Sequence, residues 1–171
     1  MMKCENRERY SMRRTEREIT DTEEMLRVLE KCDTLSIGFN GQDYPYVVPV
    51  SFGVVRQNDS VIIYFHGAKQ GKKVDMIADN PKVCIEGHVF YKVEPTEHGI
   101  TTRYESIIGF GVVESAEEDE IIPGLESITG HYHYSDYPIG KCKGLPMTNV
   151  YKVTISKLTG KRNLAEQIPT E

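Results

Sequence analysis

Apolar and polar positions change period several times along the chain. Over residues 20–33, TDTEEMLRVLEKCD, the apolar Met25, Leu26, Val28, Leu29 and Cys32 fall on one stripe at helical spacing. Two overlapping capping-box patterns, Thr20–Glu23 and Asp21–Glu24, mark the start of that helix. From residue 34 the period shortens to two. TLSIGF (34–39) alternates as a strand, and NGQD (40–43) reads as a hairpin turn whose Asn-Gly favours positive φ. YPYVVPVSFGVV (44–55) reads as the returning strand, although Pro45 and Pro49 lack N–H donors and bar parts of it from a fully paired ladder. RQNDS (56–60) turns into a strand at VIIYFH (61–66), and a short helix then runs to Pro81. KVCIEGHVF (82–90), TTRYESIIGFGVVESA (101–116) and TNVYKVTISKLTGK (148–161) read as the remaining strands, with a weak helix over 117–134 interrupted at Pro123-Gly124.

These six strands and two or three helices predict a mainly β class, a small closed antiparallel barrel with peripheral helices. Gly109 and Gly111 in IIGFGVV suit a bend or bulge at a barrel corner. No internal repeat or low-complexity linker divides the chain. The expected organisation is one domain over 19–161, an N-terminal tail or arm over 1–18 and a C-terminal tail over 162–171.

Composition narrows the function classes. The 171 residues are 39% hydrophobic, enough for a core, and carry a net charge of -5. That sign argues against a protein that coats nucleic acid or an anionic membrane. Mean hydropathy is -0.45 and no apolar run approaches membrane-spanning length. The opening MMKCENRERYSMRRTERE has no apolar signal region, so a cytoplasmic protein is expected. The four cysteines form no CxxC pair and read as free thiols, Cys84 as a core residue. His131 and His133 form an HxH pair with no acidic or thiol cluster beside it, so it reads as a surface loop and no metal is expected.

The segment FHGAKQGKKVDMI (65–77) carries the chemistry. Lys69, Lys72 and Lys73 crowd the start of a helix, where the macrodipole is positive, and Asp75 and Asp79 follow towards its negative end. Each misplaced charge costs about 0.3–1 kcal/mol. At i, i+3 and i+4 spacing the lysines also share a face and repel. A phosphate resolves the conflict, because helix N–H groups and ammonium groups then face an anion that Gly67 and Gly71 let approach closely. A solvated basic face is the bland alternative, and charge alone does not choose. A nucleotide-hydrolysing P-loop is rejected: the segment is one residue short of GxxxxGK[ST], and Lys73 stands where the metal-binding hydroxyl belongs.

The order MRRTEREITD, YPYVVPVSFG, IYFHGAKQGKK, NPKVCIEG, YESIIGFG and VYKVTISKLTGK resembles the nitroimidazole-resistance family of pyridoxamine 5'-phosphate oxidase-like flavoproteins, over roughly residues 12–161. The resemblance implies a six-stranded Greek-key FMN-binding split barrel, a homodimer, and two flavins at the subunit interface. It places Val48, Pro49, Val50 and Ser51 along the flavin ring and Phe65, His66 and Gly67 along the ring or ribityl chain. Lys72 and Lys73 would hold the phosphate, and Tyr104 and Ser106 would lie on a second flavin-contacting strand. FAD in place of FMN is compatible with the same residues. The C-terminal TGKRNLAEQIPTE lacks the Arg-x-His element of true pyridoxamine phosphate oxidases, which argues against vitamin B6 oxidation.

The preferred expectation is flavin-dependent reduction of a small organic or nitro compound. With no GxGxxG fingerprint, NAD(P)H would serve as a transient reductant. His66 has two readings, a proton donor to the substrate or a strand-end residue, while Tyr64 alternates to the other face and reads as packing. Two rivals share the barrel. One is a non-catalytic flavin carrier or sensor. The other is a haem protein, with His66, His88, His98, His131 and His133 as candidate ligands.

Overall fold

The computed structural model describes residues 12–58 and 60–165. Eight strands form one antiparallel sheet: β1 (Glu18–Ile19), β2 (Leu35–Phe39), β3 (Tyr46–Val50), β4 (Phe52–Gln57), β5 (Ser60–Ala68), β6 (Lys82–Thr96), β7 (Gly99–Ser115) and β8 (Thr148–Asn163). Three α-helices accompany them: α1 (Thr22–Glu30), α2 (Lys72–Asp79) and α3 (Ile121–His131). The strand order is β3-β2-β6-β7-β8-β5-β4, and β1 adds to β8. The edge strands β3 and β4 do not pair with each other, so the barrel is split rather than closed.

The strand count exceeds the expected six for two reasons. The stretch 44–55 breaks at Ser51, and its halves go to opposite edges of the sheet, β3 pairing with β2 and β4 with β5. Pro49 falls on the edge strand β3, where a missing donor is tolerated. Glu18–Ile19 adds a short strand across the expected boundary between tail and domain, and residues 1–11 lie outside the described residues. At the other end β8 runs to Asn163, two residues into the expected C-terminal tail, of which 166–171 lie outside the described residues.

Other local expectations shift. The connection from β2 to β3 spans 40–45, wider than a tight hairpin, and neither Asn40 nor Gly41 has positive φ. Asn40 works through its side chain instead, donating to the Lys82 carbonyl at 2.8 Å. The 82–90 strand continues to Thr96 and forms a long hairpin with β7. The register of β7 against β8 shifts between Phe110 and Gly111, where the glycines pointed to a bulge. Pro123-Gly124 does not interrupt α3. Pro123 sits in the first helical turn, where its missing N–H has no intrahelical role. Gly124 lets the helix press onto Tyr64, since a Cβ there would stand 2.7 Å from the ring.

The barrel interior is filled from α1 and all eight strands. Asp21 caps α1 by accepting from the Glu24 N–H at 2.9 Å, and Met25, Leu26, Val28 and Leu29 insert among Leu35, Ile37, Phe39, Phe52, Phe65, Ile85 and Ile107. Each such fully buried side chain contributes about 1.5–3 kcal/mol. A second cluster, Ile62, Tyr64, Ile128 and Val150, lies under α3 on the opposite face. Tyr64 is thus a packing residue.

Cys32 is the buried thiol, with its pKa pushed up to about 11 by burial. Cys84 is only half-buried, because it alternates with core residues Val83 and Ile85 and faces outward. Glu105 is buried at 3% exposure and accepts from Lys31 Nζ at 2.8 Å and from Tyr91 Oη at 2.5 Å. A bulge at Tyr91 aims that hydroxyl inward. Burial alone would raise the Glu105 pKa, but the bonds from Lys31 and Tyr91 outweigh it and hold the carboxyl below its ordinary value.

Candidate functional site

The end of β5 and the start of α2 make the candidate site. β5 ends at Ala68, and residues 69–71 bend the chain into the helix. Gly71 precedes α2 with φ 122, a conformation that favours glycine. No side chain among the described residues caps this N-terminus. The Gly71 carbonyl accepts from Val74 and Asp75, and the N–H groups of Lys72 and Lys73 have no partner among the described residues. Lys69 therefore lies in the bend rather than on the helix, because α2 begins only after Gly71. Asp75 falls in the first turn, where a negative charge is favoured. The misplaced charges reduce to Lys72 and Lys73 at the start and Asp79 at the end.

At 3.6 residues per turn, adjacent helical side chains point about 100° apart, and the two lysines diverge. Lys72 extends over β3, with Nζ 4.4 Å from the centre of the Tyr46 ring. It also lines a cleft of about 350 Å³ between α2 and the 40–44 loop. Lys73 turns inward. Its Nζ lies 5.1 Å from the centre of the Phe65 ring and 5.8 Å from that of Tyr151. The absent side chain of Gly67 makes this niche, because a Cβ there would stand 2.6 Å from Lys73 Nζ. Burial holds the Lys73 pKa below the ordinary lysine value.

Beneath Lys73, Phe65 and Tyr151 stack as cross-strand neighbours with centroids 5.1 Å apart. The Tyr151 hydroxyl is buried and has no hydrogen-bond partner among the described residues. Phe65 is fully buried, so only its main chain faces outward for a ligand. His66, the next residue, points to the opposite side and is solvent-accessible. Partial burial, and then the charge of Lys73, hold its pKa below the ordinary histidine value.

The remaining expected residues divide. Val48, Pro49 and Val50 lie on β3, opposite Ile37, Ser36 and Leu35, and Ser51 bridges to β4. Val50 is buried, Val48 half-buried, and Pro49 and Ser51 exposed. Tyr46 joins this strand to the lysine helix through its contact with Lys72. Tyr104 and Ser106 lie elsewhere. Ser106 pairs with Lys161 and His66 with Val150, positions that β8 separates by roughly 35 Å of strand at about 3.3 Å per residue. A single chain does not bring the two groups together.

The other histidines are engaged or isolated. His131 ends α3 rather than lying in a loop, with Nε2 2.8 Å from the Cys32 carbonyl and its ring packed 4.3 Å from that of Phe52. His88 bonds Glu86 at 2.9 Å, and His98 sits at the β6–β7 turn. No cluster of three metal-ligating side chains occurs among the described residues. No helix among them is long and apolar enough to cross a membrane.

The sequence pattern of the family described as Pyridoxamine 5'-phosphate oxidase matches residues 21–162, from the cap of α1 almost to the end of β8. The chain belongs to this family. A candidate 5-nitroimidazole antibiotic resistance protein from Bacteroides thetaiotaomicron is 28% identical, over 84% of this chain and 85% of that one, with a TM-score of 0.69. The FAD and haem binding protein from Mycobacterium smegmatis shares the fold at 18% identity and a TM-score of 0.73, over 91% of this chain and 76% of that one. The flavocytochrome Anf3 from Azotobacter vinelandii does so at 16% identity and the same TM-score, over 95% and 76%. No protein of curated function matches in sequence.

Proposed function

We propose that the protein binds FMN with its phosphate at the N-terminus of α2 and serves as a flavin-dependent reductase of a small organic or nitro compound. The observation that carries this reading is the uncapped start of α2, where two unpartnered N–H groups meet Lys72 and Lys73 in a member of the pyridoxamine 5'-phosphate oxidase family. These residues fit a phosphate: the donors are free, the charges are paired with no carboxylate among the described residues, and Gly67 leaves the niche open. A bound flavin supplies the redox chemistry, accepting electrons from NAD(P)H and passing them to the substrate. The chain positions it through Lys72, Lys73 and the main chain of Phe65–Gly67, with β3 at Val48–Ser51 beside them. His66 is the candidate proton donor. FAD is the alternative cofactor, since the mycobacterial protein of the same fold binds FAD and haem.

The same reading makes the protein a homodimer. Ile108, Phe110 and Val112 alternate outward along β7 at 43%, 48% and 44% exposure, a contiguous apolar stripe on the face opposite the core. A second copy seated there is the occupant that also permits Tyr104 and Ser106 of one chain to meet the lysine site of the other. The free thiols Cys32, Cys84 and Cys142 suit a reducing cytoplasm.

The test is the visible spectrum and extracted cofactor of the purified protein, followed by anaerobic addition of NADH and NADPH. A flavin spectrum with FMN released on denaturation, bleached by either nucleotide and restored by a nitroaromatic, is the expected result. Flavin that stays oxidised identifies a carrier, and a haem spectrum overturns the reading.

A further inference from the structure

Tyr151 is 1% exposed and stacks on Phe65, yet its hydroxyl is a buried side-chain group with no hydrogen-bond partner among the described residues. Leaving a hydroxyl unpaired in an apolar interior is unfavourable, and a phenylalanine would fill the same stack without it. Packing therefore does not explain the oxygen.

The hydroxyl end of the ring lies beside the lysine niche. Cε2, a carbon next to the one that bears the hydroxyl, stands 3.9 Å from where a Cβ on Gly67 would be. Lys73 Nζ stands 2.6 Å from the same point. That ammonium contacts the faces of Phe65 and Tyr151 and joins no ion pair among the described residues. The space left by the missing side chain of Gly67 thus has a hydroxyl on one side and an ammonium on the other. An ammonium only donates, so Lys73 gives the hydroxyl hydrogen no acceptor. An oxygen placed beside Gly67 accepts from both, and the bond from the ammonium is charge-assisted.

We infer that Tyr151 is a further binding residue of the α2 site: an oxygen of the bound phosphate enters the niche beside Gly67 and accepts from the Tyr151 hydroxyl as well as from Lys73. The flexible stem of Lys73 lets its ammonium turn from the ring faces to the side of that oxygen. This inference rests on the proposed phosphate site at the start of α2 and adds to it a donor from β8.

The experiment uses the full chain freed of flavin. Tyr151→Phe removes the hydroxyl and keeps the stacked ring. FMN and riboflavin, which lacks the phosphate, are titrated into the wild type and the variant, with thermal melts of the same samples. FMN affinity should fall about tenfold or more, while riboflavin affinity holds and the melting midpoint of the apo protein stays level or rises. A tyrosine that served the fold alone would leave FMN affinity unchanged or weaken both flavins equally, and either result overturns the inference. If the wild type binds neither flavin, the flavin reading fails, and inorganic phosphate titrated into both proteins decides the role of Tyr151. Weaker phosphate binding by the variant upholds it. Phosphate bound alike by both proteins, or by neither, overturns it.

Discussion

The ammonium of Lys73 occupies the space that a side chain on Gly67 would fill, 2.6 Å from where its Cβ would stand. Gly67→Ala should therefore push Lys73 off the Phe65 and Tyr151 rings and away from the start of α2. The expected cost in FMN affinity is up to the value of one charge-assisted contact, about 1.5–3 kcal/mol. FMN titration of the apo protein measures it, and unchanged affinity would detach Lys73 from the phosphate.

The two lysines should separate in the apo protein. Lys72→Ala removes an exposed charge from a helix start and should leave apo stability unchanged or slightly raised. Lys73→Ala removes an ammonium stacked over two rings and should cost about 0.5–2 kcal/mol. Both should weaken FMN, the double variant by several kcal/mol. Thermal melts and flavin titrations on the same samples check both statements. The ring contacts were not legible in the order of residues, which by itself predicts that neither lysine supports the apo fold.

Affinity should fall with rising pH sooner than an ordinary lysine allows. The folded pKa of Lys73 is lowered by burial, so its charge is lost below the ordinary value near 10.4. The fold disfavours the charged form, so apo stability should rise with pH between the folded and unfolded pKa values of this group. Lys73→Arg keeps its charge and should flatten the alkaline fall in FMN affinity. The same slope in both proteins would place the titrating group elsewhere.

His66→Ala separates binding from chemistry. A proton donor there implies retained flavin with reoxidation by a nitroaromatic slowed about 10²–10⁴-fold per bound flavin. Because the His66 pKa lies below its ordinary value near 6.5, the imidazolium accumulates only on the acid side. The wild-type rate should rise as pH falls through that range, and the variant's should not. Stopped-flow reoxidation across pH reads both, and an unchanged rate per flavin removes His66 from the chemistry.

Phe110→Asp places a charge in the apolar stripe on β7. The variant should sediment as a monomer at micromolar concentration and bind flavin poorly, while the wild type should sediment as a dimer that flavin stabilises. A flavin-loaded wild-type monomer would confine the site to one chain.

The sequence showed its local features well and its long-range ones poorly. The cap at Asp21, the apolar stripe of α1, the bulge near Gly111 and the lysine-bearing helix are all encoded within a few residues. The break at Ser51 was not, since YPYVVPVSFGVV reads as one strand until β2 and β5 claim its two halves. Tyr46 and Tyr151 were missed for the same reason. Their places beside Lys72 and Lys73 depend on pairing partners and on the path of α2, which no local pattern specifies.

β8 pairs with β7 and β5 and also receives β1, so it is an interior strand of the sheet although it is the last strand in the chain. The β4–β5 hairpin is complete at Ala68, yet its only further strand partner among the described residues begins at Thr148. During synthesis at about 5–20 residues per second, that hairpin waits roughly 4–16 s for the strand that covers its open edge. The edge of β5 that β8 pairs, from Val61 to Ala68, is unpaired for that interval. A ribosome that stalls before β8 therefore releases a chain with an unpaired hydrophobic edge, a substrate for chaperones and for aggregation.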